Sequence, residues 1–158
     1  MSTASVLPLS GFYQFGYVTR DLDAAIETLR DQFGISKYRR KFNAPWMEAV
    51  HAWTGDTQIE VVQLGEGAPG FYHGYIPDEP GVLRLHHLGR RIDTPEQWAE
   101  LERAIVAGGF DTPLKDVVMD GHLRLAFVDT RALLGIYSEY VCFTGPALNI
   151  YDDVPHND

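Results

Sequence analysis

At 158 residues and 45% hydrophobic content, the chain has room for one domain or for two small modules that share a core. Its formal net charge of −9 at pH 7 argues against general attraction to nucleic acid or anionic membranes, because phosphate binding needs surplus lysine and arginine. The single cysteine, Cys142, excludes an intrachain disulfide and a thiolate cluster, so a bound metal would need imidazole, carboxylate or amide ligands.

The N-terminal residues show no targeting signal. MSTASVLPLSG has neither the basic nor the apolar region of a signal peptide, and no apolar run in the chain approaches the roughly 20 residues that span a bilayer. We therefore expect a cytoplasmic protein with no membrane partner, in which residues 1–10 form a loose tail.

The first half of the chain predicts a strand, a helix and three further strands. Residues 11–19 alternate, so that Gln14 and Gly16 share one face and the aromatic residues lie on the other, core-facing side. Gln14 therefore lies beside a glycine that leaves room for a bulky group. Asp21 is an N-cap for a helix that ends at Gly34, and strands follow at 35–42, 46–53 and 57–64.

A segment rich in glycine and proline, residues 66–82, separates the two halves. It is interpreted as a linker or as a lid loop folded over a pocket. Within its aromatic stretch FYHGY, His73 is the residue best placed to touch a substrate.

The second half repeats the order of the first. A strand at 83–93, LRLHHLGRRID, precedes a helix that Thr94 caps and Pro95 begins. Strands are expected at 115–119, 122–129 and 135–143. The modules are thus residues 11–65 and 83–143, each with the order βαβββ, and residues 144–158 are expected to be a tail whose acidic end frays.

Four residues that can bind a metal lie in the first and last strands of the two modules: Gln14, Glu60, His87 and Glu139. Strand alternation puts His87 on one face of its strand and His86 on the helix side. A register slip by one residue would make His86 the ligand instead, and His51 on an inner strand is a further alternative.

Three stretches of the chain carry a resemblance to a known family: QFGYVTRDLDAAIETLRDQFGI, HHLGRRID and LLGIYSEYV. Over residues 11–143 the chain resembles the vicinal oxygen chelate superfamily, the group of glyoxalases, bleomycin-resistance proteins and extradiol dioxygenases. It is most similar to glyoxalase I-like and methylmalonyl-CoA epimerase-like members. It departs from them at Thr28-Leu29, where an FY pair is common, and it shows no glutathione or coenzyme A pattern.

The resemblance implies an α+β fold in which two βαβββ modules form a curved mixed sheet around a shared cleft. It implies metal ligands at Gln14, Glu60, His87 and Glu139, and a homodimer by analogy. One glutamine, one histidine and two carboxylates suit a divalent ion such as Zn, Ni, Co, Mn or Fe.

The resemblance also implies a lyase or isomerase that removes a proton next to a carbonyl. A small-molecule substrate with adjacent oxygens would chelate the ion, which would stabilise an enediolate. We assign Glu139 as first choice for the catalytic base and Glu60 as second, with Tyr137 and His73 in contact with the substrate.

Other interpretations stay open. An extradiol-type dioxygenase generally needs iron held by two histidines and one carboxylate, and Gln14 counts against it. A metal-free binding protein of the bleomycin-resistance kind would use an aromatic cleft alone. Each proposed ligand also has a structural interpretation, as part of a solvated strand face or as a packing residue. The basic runs at 38–41 and 90–91 are interpreted as solvated strand faces or as a patch for an anionic substrate arm.

Overall fold

The computed structural model describes residues 6–158, which form two successive β-α-β-β-β patterns. The α+β fold class and the two βαβββ modules predicted from the sequence are confirmed. The first module comprises β1 Phe12–Thr19, α1 Leu22–Phe33, β2 Arg39–Ala44, β3 Met47–Thr54 and β4 Thr57–Leu64. The second comprises β5 Arg84–Ile92, α2 Pro95–Gly108, β6 Leu114–Val118, β7 Leu123–Val128, the short α3 Arg131–Leu134 and β8 Tyr137–Phe143.

By compactness the chain divides into two units. The first unit contains Gln14–His87 and Asp152–Asp158, and the second contains the described residues up to Tyr13 together with Leu88–Tyr151. Two of the three boundaries between the units fall inside β1 and β5, and the third lies between Tyr151 and Asp152.

In the first module the strands are ordered β2-β3-β4-β1. The pairing is mixed as expected, because β1 runs parallel to β4 while β2, β3 and β4 form antiparallel pairs. Helix α1 begins where Asp21 Oδ1 accepts a hydrogen bond from the Ala24 amide at 3.1 Å, and it ends at Gly34 in the left-handed conformation. Its apolar stripe packs with Phe15 and Tyr17 over β3 and β4, so the aromatic face of β1 does face the core.

In the second module the strands are ordered β5-β8-β7-β6, with β6, β7 and β8 antiparallel. Helix α2 begins as predicted, with Pro95 in its first turn and the Thr94 hydroxyl accepting from the Gln97 amide at 3.1 Å. Its buried side chains pack against the inner faces of β7 and β8. The core there contains Trp98, Leu101, Ile105, Ala126, Val128, Tyr140 and Cys142.

Both ends of the described part of the chain make more contacts than the sequence suggested. At the N-terminus, residues 1–5 of the predicted loose tail lie outside the described residues, but the Pro8 and Leu9 carbonyls accept hydrogen bonds from Tyr140 and Arg90. At the C-terminus, Asn157 Oδ1 accepts from two backbone amides at 36 and 37, and His156 stacks on Trp53. The prediction of a fraying end is therefore wrong, because these side chains replace the hydrogen bonds that a free end would make with water.

The segment between the modules is not simply a loop. Gly70–Tyr75 forms a 3-10 helix, which we call the aromatic segment. Its Tyr72 is buried beside Val18, Ala49 and Val62. No helix within residues 6–158 is both long and apolar enough to cross a membrane.

Candidate functional site

The first unit buries an unusual number of polar side chains close together on β1, β3, β4 and the start of β5. Glu60 is 9% exposed and the others 1% or less. Side chains of this kind are rarely buried without a structural or chemical role. We call this group the buried polar cluster: Gln14, His51, Gln58, Glu60, His86 and His87.

Glu60 lies between two histidines. Its Oε2 accepts a hydrogen bond from His51 Nε2 at 2.9 Å, and its Oε1 lies 3.5 Å from His87 Nε2. Burial alone would raise the pKa of this carboxyl group, but the hydrogen bond from His51 and the nearby imidazoles outweigh it, so the pKa of Glu60 is lowered. Glu60 is consequently an anion with a weak affinity for protons.

Gln14 and Gln58 face each other across the parallel β1–β4 pair. Gln14 Nε2 donates to Gln58 Oε1 at 2.7 Å. This contact leaves Gln14 Oε1 and Gln58 Nε2, both buried, without hydrogen-bond partners among residues 6–158. Gln14 shares its strand face with Gly16, which is in register with Glu60, so the unused acceptor lies on the same side of the sheet as the carboxylate.

Gly16 provides the space that His87 occupies. A Cβ atom added to Gly16 would lie 2.1 to 2.5 Å from three atoms of the His87 ring, far inside contact distance. The predicted room beside Gln14 is therefore real, and an imidazole fills it. Because β1 has no side chain at this position, the His87 ring can lie flush against the strand and reach Glu60.

His86 lies in an aromatic environment. Its ring stacks on Tyr72 at 4.4 Å between centroids and contacts Phe71 and Tyr75 of the aromatic segment. Its Nδ1 is 3.0 Å from Nδ1 of His87, and its Nε2 is 3.4 Å from the Phe71 carbonyl oxygen. The predicted position of His86 on the helix side thus needs correction, since these neighbours belong to the segment interpreted as a linker or lid.

The structure places the remaining predicted site residues as follows. Glu139 is half-buried on β8 opposite Phe127, and Tyr137 is buried with the Arg131 guanidinium 4.7 Å from its ring centroid. Both belong to the second unit. His73 lies exposed in the aromatic segment. The assignments of Glu139 as ligand and base, and of Tyr137 and His73 as substrate contacts, stay predictions.

Sequence reasoning named His51 only as an alternative metal ligand, and it did not single out Gln58 as a site residue. The signal for His51 was available, because a two-residue turn at Gly55-Asp56 puts His51 directly opposite Glu60 in the β3–β4 hairpin. The contact of Gln58 with Gln14 depends on the register of two parallel strands that are distant in sequence, and no local pattern specifies it.

The metal implied by the family resemblance can be tested against this cluster. Within residues 6–158, no three His, Cys, Asp or Glu side chains are arranged to hold a metal ion. An amide ligand changes the outcome: the Gln14 oxygen, the Glu60 carboxylate and the His87 imidazole are the oxygen and nitrogen donors that borderline divalent ions accept. The unused buried acceptor on Gln14 is what a cation would satisfy. The residues therefore fit such an ion.

Comparison of the chain with known proteins identifies its fold. No family model and no curated protein sequence matches the chain. Solved structures do, and they show that the chain shares its fold with methylmalonyl-CoA epimerases.

Methylmalonyl-CoA epimerases stand among these structures. The enzyme from Mycobacterium tuberculosis has 20% identity and a TM-score of 0.61, with 92% of this chain and 93% of that chain covered. A variant of the Streptomyces coelicolor enzyme, in complex with 2-nitronate-propionyl-CoA, has 17% identity and a TM-score of 0.61 over 87% and 100%. A methylmalonyl-CoA epimerase in complex with methylmalonyl-CoA and NH4+ has 17% identity and a TM-score of 0.60 over 87% and 97%. Likeness at these identities establishes the fold.

Proposed function

We propose that this protein is an isomerase of the epimerase type, or a closely related lyase, that uses a divalent metal to remove a proton next to a carbonyl. The observation that carries the proposal is the buried polar cluster, in which the ionised Glu60 and the unused amide oxygen of Gln14 share one sheet face. The fold, shared with epimerases, supports the same reaction class.

In this proposal Gln14 Oε1, Glu60 and His87 Nε2 would hold the ion, and the family resemblance adds Glu139 to this set. When bound, the ion supplies positive charge that stabilises the anion formed as the substrate loses its proton. His51 orients Glu60 by donating to Oε2, which leaves Oε1 available on the side of His87. Gly16 allows His87 to reach that side.

The proton transfer is assigned to Glu139 rather than to Glu60. A general base works best when its pKa lies near the working pH. The hydrogen bond from His51 lowers the pKa of Glu60, which suits a ligand and weakens a base. Glu139 therefore remains the first choice as base, as the family resemblance implies.

For the substrate we propose a small acyl thioester with adjacent oxygens. The epimerase structures hold 2-nitronate-propionyl-CoA and methylmalonyl-CoA, so methylmalonyl-CoA is the first compound to try. The basic run at 38–41 is a poor candidate for binding an anionic arm, because Arg39 pairs with Asp153 and Arg40 with Asp23 and Glu48. A homodimer is expected from the family resemblance.

The test combines metal analysis with proton exchange. The protein is reconstituted with Zn, Ni, Co or Mn, and deuterium uptake by methylmalonyl-CoA in D2O is followed by mass spectrometry. We expect bound metal and exchange in the natural chain, and loss of both in Glu60→Ala and His87→Ala. Glu139→Gln should lose exchange, whereas Glu66→Gln, which alters an exposed loop carboxylate, should leave both unchanged.

Two results would contradict the proposal. If no reconstituted sample contained metal, the proposed metal-dependent reaction would be ruled out. Full deuterium exchange in the Glu139→Gln variant would show that Glu139 is not the base. The proposed metal site would be unaffected by that result.

One observation favours a second candidate, a ring-cleaving dioxygenase. His51 and His87 both contact Glu60, and two histidines with one carboxylate are the residue types that non-haem iron oxygenases use, although the three are not arranged here as a ready-made metal site. The direct contact between His51 and Glu60 ranks this candidate second, because Nε2 of His51 is already engaged. Oxygen uptake with a catechol after anaerobic loading of Fe(II), abolished by His51→Ala, would reverse the ranking.

A further inference from the structure

The second unit contains a recess that shares no residue with the buried polar cluster. Its volume is about 270 Å³. Pockets for drug-sized ligands usually have about 300–1,000 Å³, so this one suits a smaller molecule. We call it the polar recess. Its lining comes from the start of α2, from the turn between β6 and β7, and from the adjacent ends of β7 and β8: Pro95, Asp120, His122, Arg124, Cys142 and Thr144.

Arg124 is a partly buried cation without an ionic partner. It lies on β7 in register with Cys142 on β8, and its guanidinium group makes no hydrogen bond or ion pair with any described residue. The pKa of Glu102 is lowered chiefly by the hydrogen bond from Lys115, whose Nζ lies 2.6 Å away, and only slightly by the charge of Arg124. Glu102 is therefore engaged elsewhere, and Arg124 can donate to a ligand carboxylate.

Asp120 brings a carboxylate to the same recess from an unusual turn. Met119 and Asp120 have φ angles of 53° and 54°. Aspartate tolerates this left-handed conformation but methionine rarely adopts it, and residues held in this way cluster at functional sites. Asp120 and Arg124 do not pair with each other, and the Asp120 carboxylate accepts no hydrogen bond within residues 6–158. The recess thus carries two opposite charges that a ligand can satisfy.

His122 and Thr144 add hydrogen-bonding groups that the backbone holds in place. The Thr144 amide donates to the His122 carbonyl at 2.9 Å, and Thr144 Oγ1 lies 3.2 Å from His122 Nδ1. The His122 ring packs against Gly145, where an added Cβ atom would lie 2.7 Å from Nδ1. Nε2 of this fixed ring has no hydrogen bond to the part of the chain that the structure describes, so it is available to a ligand.

We propose that the polar recess binds a small zwitterion of the amino-acid class, with its carboxylate on Arg124 and its ammonium group on Asp120. A simple anion would be repelled by Asp120 and a simple cation by Arg124, whereas a molecule with both charges satisfies both. In the described part of the chain, Asp120, His122 and Cys142 are not arranged to hold a metal ion. Pro95 and Cys142 give the lining apolar atoms, which suit a small apolar side chain. The inference does not depend on the proposed function.

The test compares three probes that differ in the charged groups they carry. L-Alanine has both groups, propionate lacks the ammonium group and ethylamine lacks the carboxylate. Each probe is titrated into the full-length protein at constant ionic strength, and binding is followed by the nitrogen-15 amide shifts of residues 120–124 and 142–145. We expect saturable shifts there with L-alanine. The other two should bind at least about tenfold more weakly, because each lacks one charge-assisted contact.

Two substitutions test the assigned contacts. Arg124→Gln removes the guanidinium charge, and Asp120→Asn removes the carboxylate but keeps a residue that tolerates the left-handed conformation. Each should weaken L-alanine binding about tenfold or more. Arg103→Gln, which alters an exposed cation on α2, is the matched control and should leave binding unchanged. Asp120 lies in an exposed turn, so its variant decides the question if Arg124→Gln does not fold.

Three results would overturn the proposal. The first is an absence of saturable shifts at the polar recess when L-alanine is added to the natural chain. The second is binding of propionate or ethylamine as tight as that of L-alanine, which would show that only one charge is recognised. The third is an equal loss of affinity in Arg103→Gln and Arg124→Gln, which would reflect the net charge of the protein instead of a contact in the recess.

Discussion

The two units differ in how their buried polar side chains form hydrogen bonds. In the first unit, Gln14 and Gln58 use one hydrogen bond between them and leave a buried oxygen and a buried amide group without partners among the described residues. In the second unit, Arg90 donates to the Leu9 carbonyl at 3.1 Å and to the Ser138 hydroxyl at 3.2 Å. The glutamine pair therefore has hydrogen-bonding groups that no described residue uses. The hydrogen bonds of Arg90 instead join the N-terminal segment to β8.

The same contrast extends to neighbouring groups of the second unit. Thr130 donates to the Ile136 carbonyl at 2.7 Å and lies 2.9 Å from the Ser138 hydroxyl, while the Tyr140 hydroxyl donates to Pro8. Buried polar groups that pair with backbone stabilise a fold, whereas unused ones cost free energy until a ligand satisfies them. A repeated secondary-structure pattern thus supports a candidate site in one unit and a structural network in the other.

The largest expected effect comes from Gly16→Ala. The new methyl group would overlap the His87 ring, so we expect a loss of about 1–3 kcal/mol in the free energy of unfolding. Metal affinity should fall as well, because His87 must move. Urea unfolding and metal titration are the measurements.

Gly74→Ala is the matched control, since a Cβ atom there meets no atom within 4 Å. In a His87→Ala background, Gly16→Ala should become much less costly because the overlap is gone. Equal costs in both backgrounds would show that the ring contact is not the cause.

Arg90→Met should destabilise the second unit by about 2 kcal/mol, since the Leu9 carbonyl and the Ser138 hydroxyl lose their buried donor. Metal affinity should stay unchanged, because Arg90 stabilises the fold and is not one of the proposed metal ligands. Thermal unfolding and the same metal titration would show the separation. A tenfold fall in affinity would contradict the contrast between the two units.

Gln58→Met should cost about 1 kcal/mol because it leaves Gln14 Nε2 buried without its acceptor. Replacing both glutamines by methionine should recover most of that stability, yet metal affinity should fall because the amide oxygen is absent. A double-mutant cycle of urea unfolding measures the coupling. If the stability costs of the two single substitutions sum to the cost of the double substitution, the Gln14–Gln58 contact contributes nothing to the free energy of unfolding.

Asp129→Asn should have the smallest effect, a few tenths of a kcal/mol at pH 7. The hydrogen bonds from Arg131 lower the pKa of Asp129 in the folded protein. Their contribution is present above the unfolded pKa, about 4, and is lost as pH falls through the lower folded value. The stability difference between the two proteins should therefore vanish on acidification. A difference that persists at low pH would point to packing instead.

Local chemistry made much of the fold predictable. Helix caps interact with residues only a few positions away, so short sequence patterns predicted both long helices. These patterns are the N-caps Asp21 and Thr94 and the C-terminal glycine Gly34. Strand alternation correctly placed Gln14 beside Gly16, whose missing side chain leaves the room that the His87 ring occupies. The four-residue helix α3 was missed as well, and so were the hydrogen bonds of Asn157 to backbone atoms more than a hundred residues away in the chain, which no local pattern specifies.

By itself the sequence determined the α+β class, the two βαβββ modules and a set of candidate ligands that includes Gln14, Glu60 and His87. These depend on periodicity, capping and turns, which short stretches of chain specify. Tertiary structure decided that His51 holds Glu60, that Gln58 holds Gln14 and that the aromatic segment supports His86. Those contacts join strands and segments far apart in the chain, and the free energy of burying polar groups selects them only once the sheet has formed.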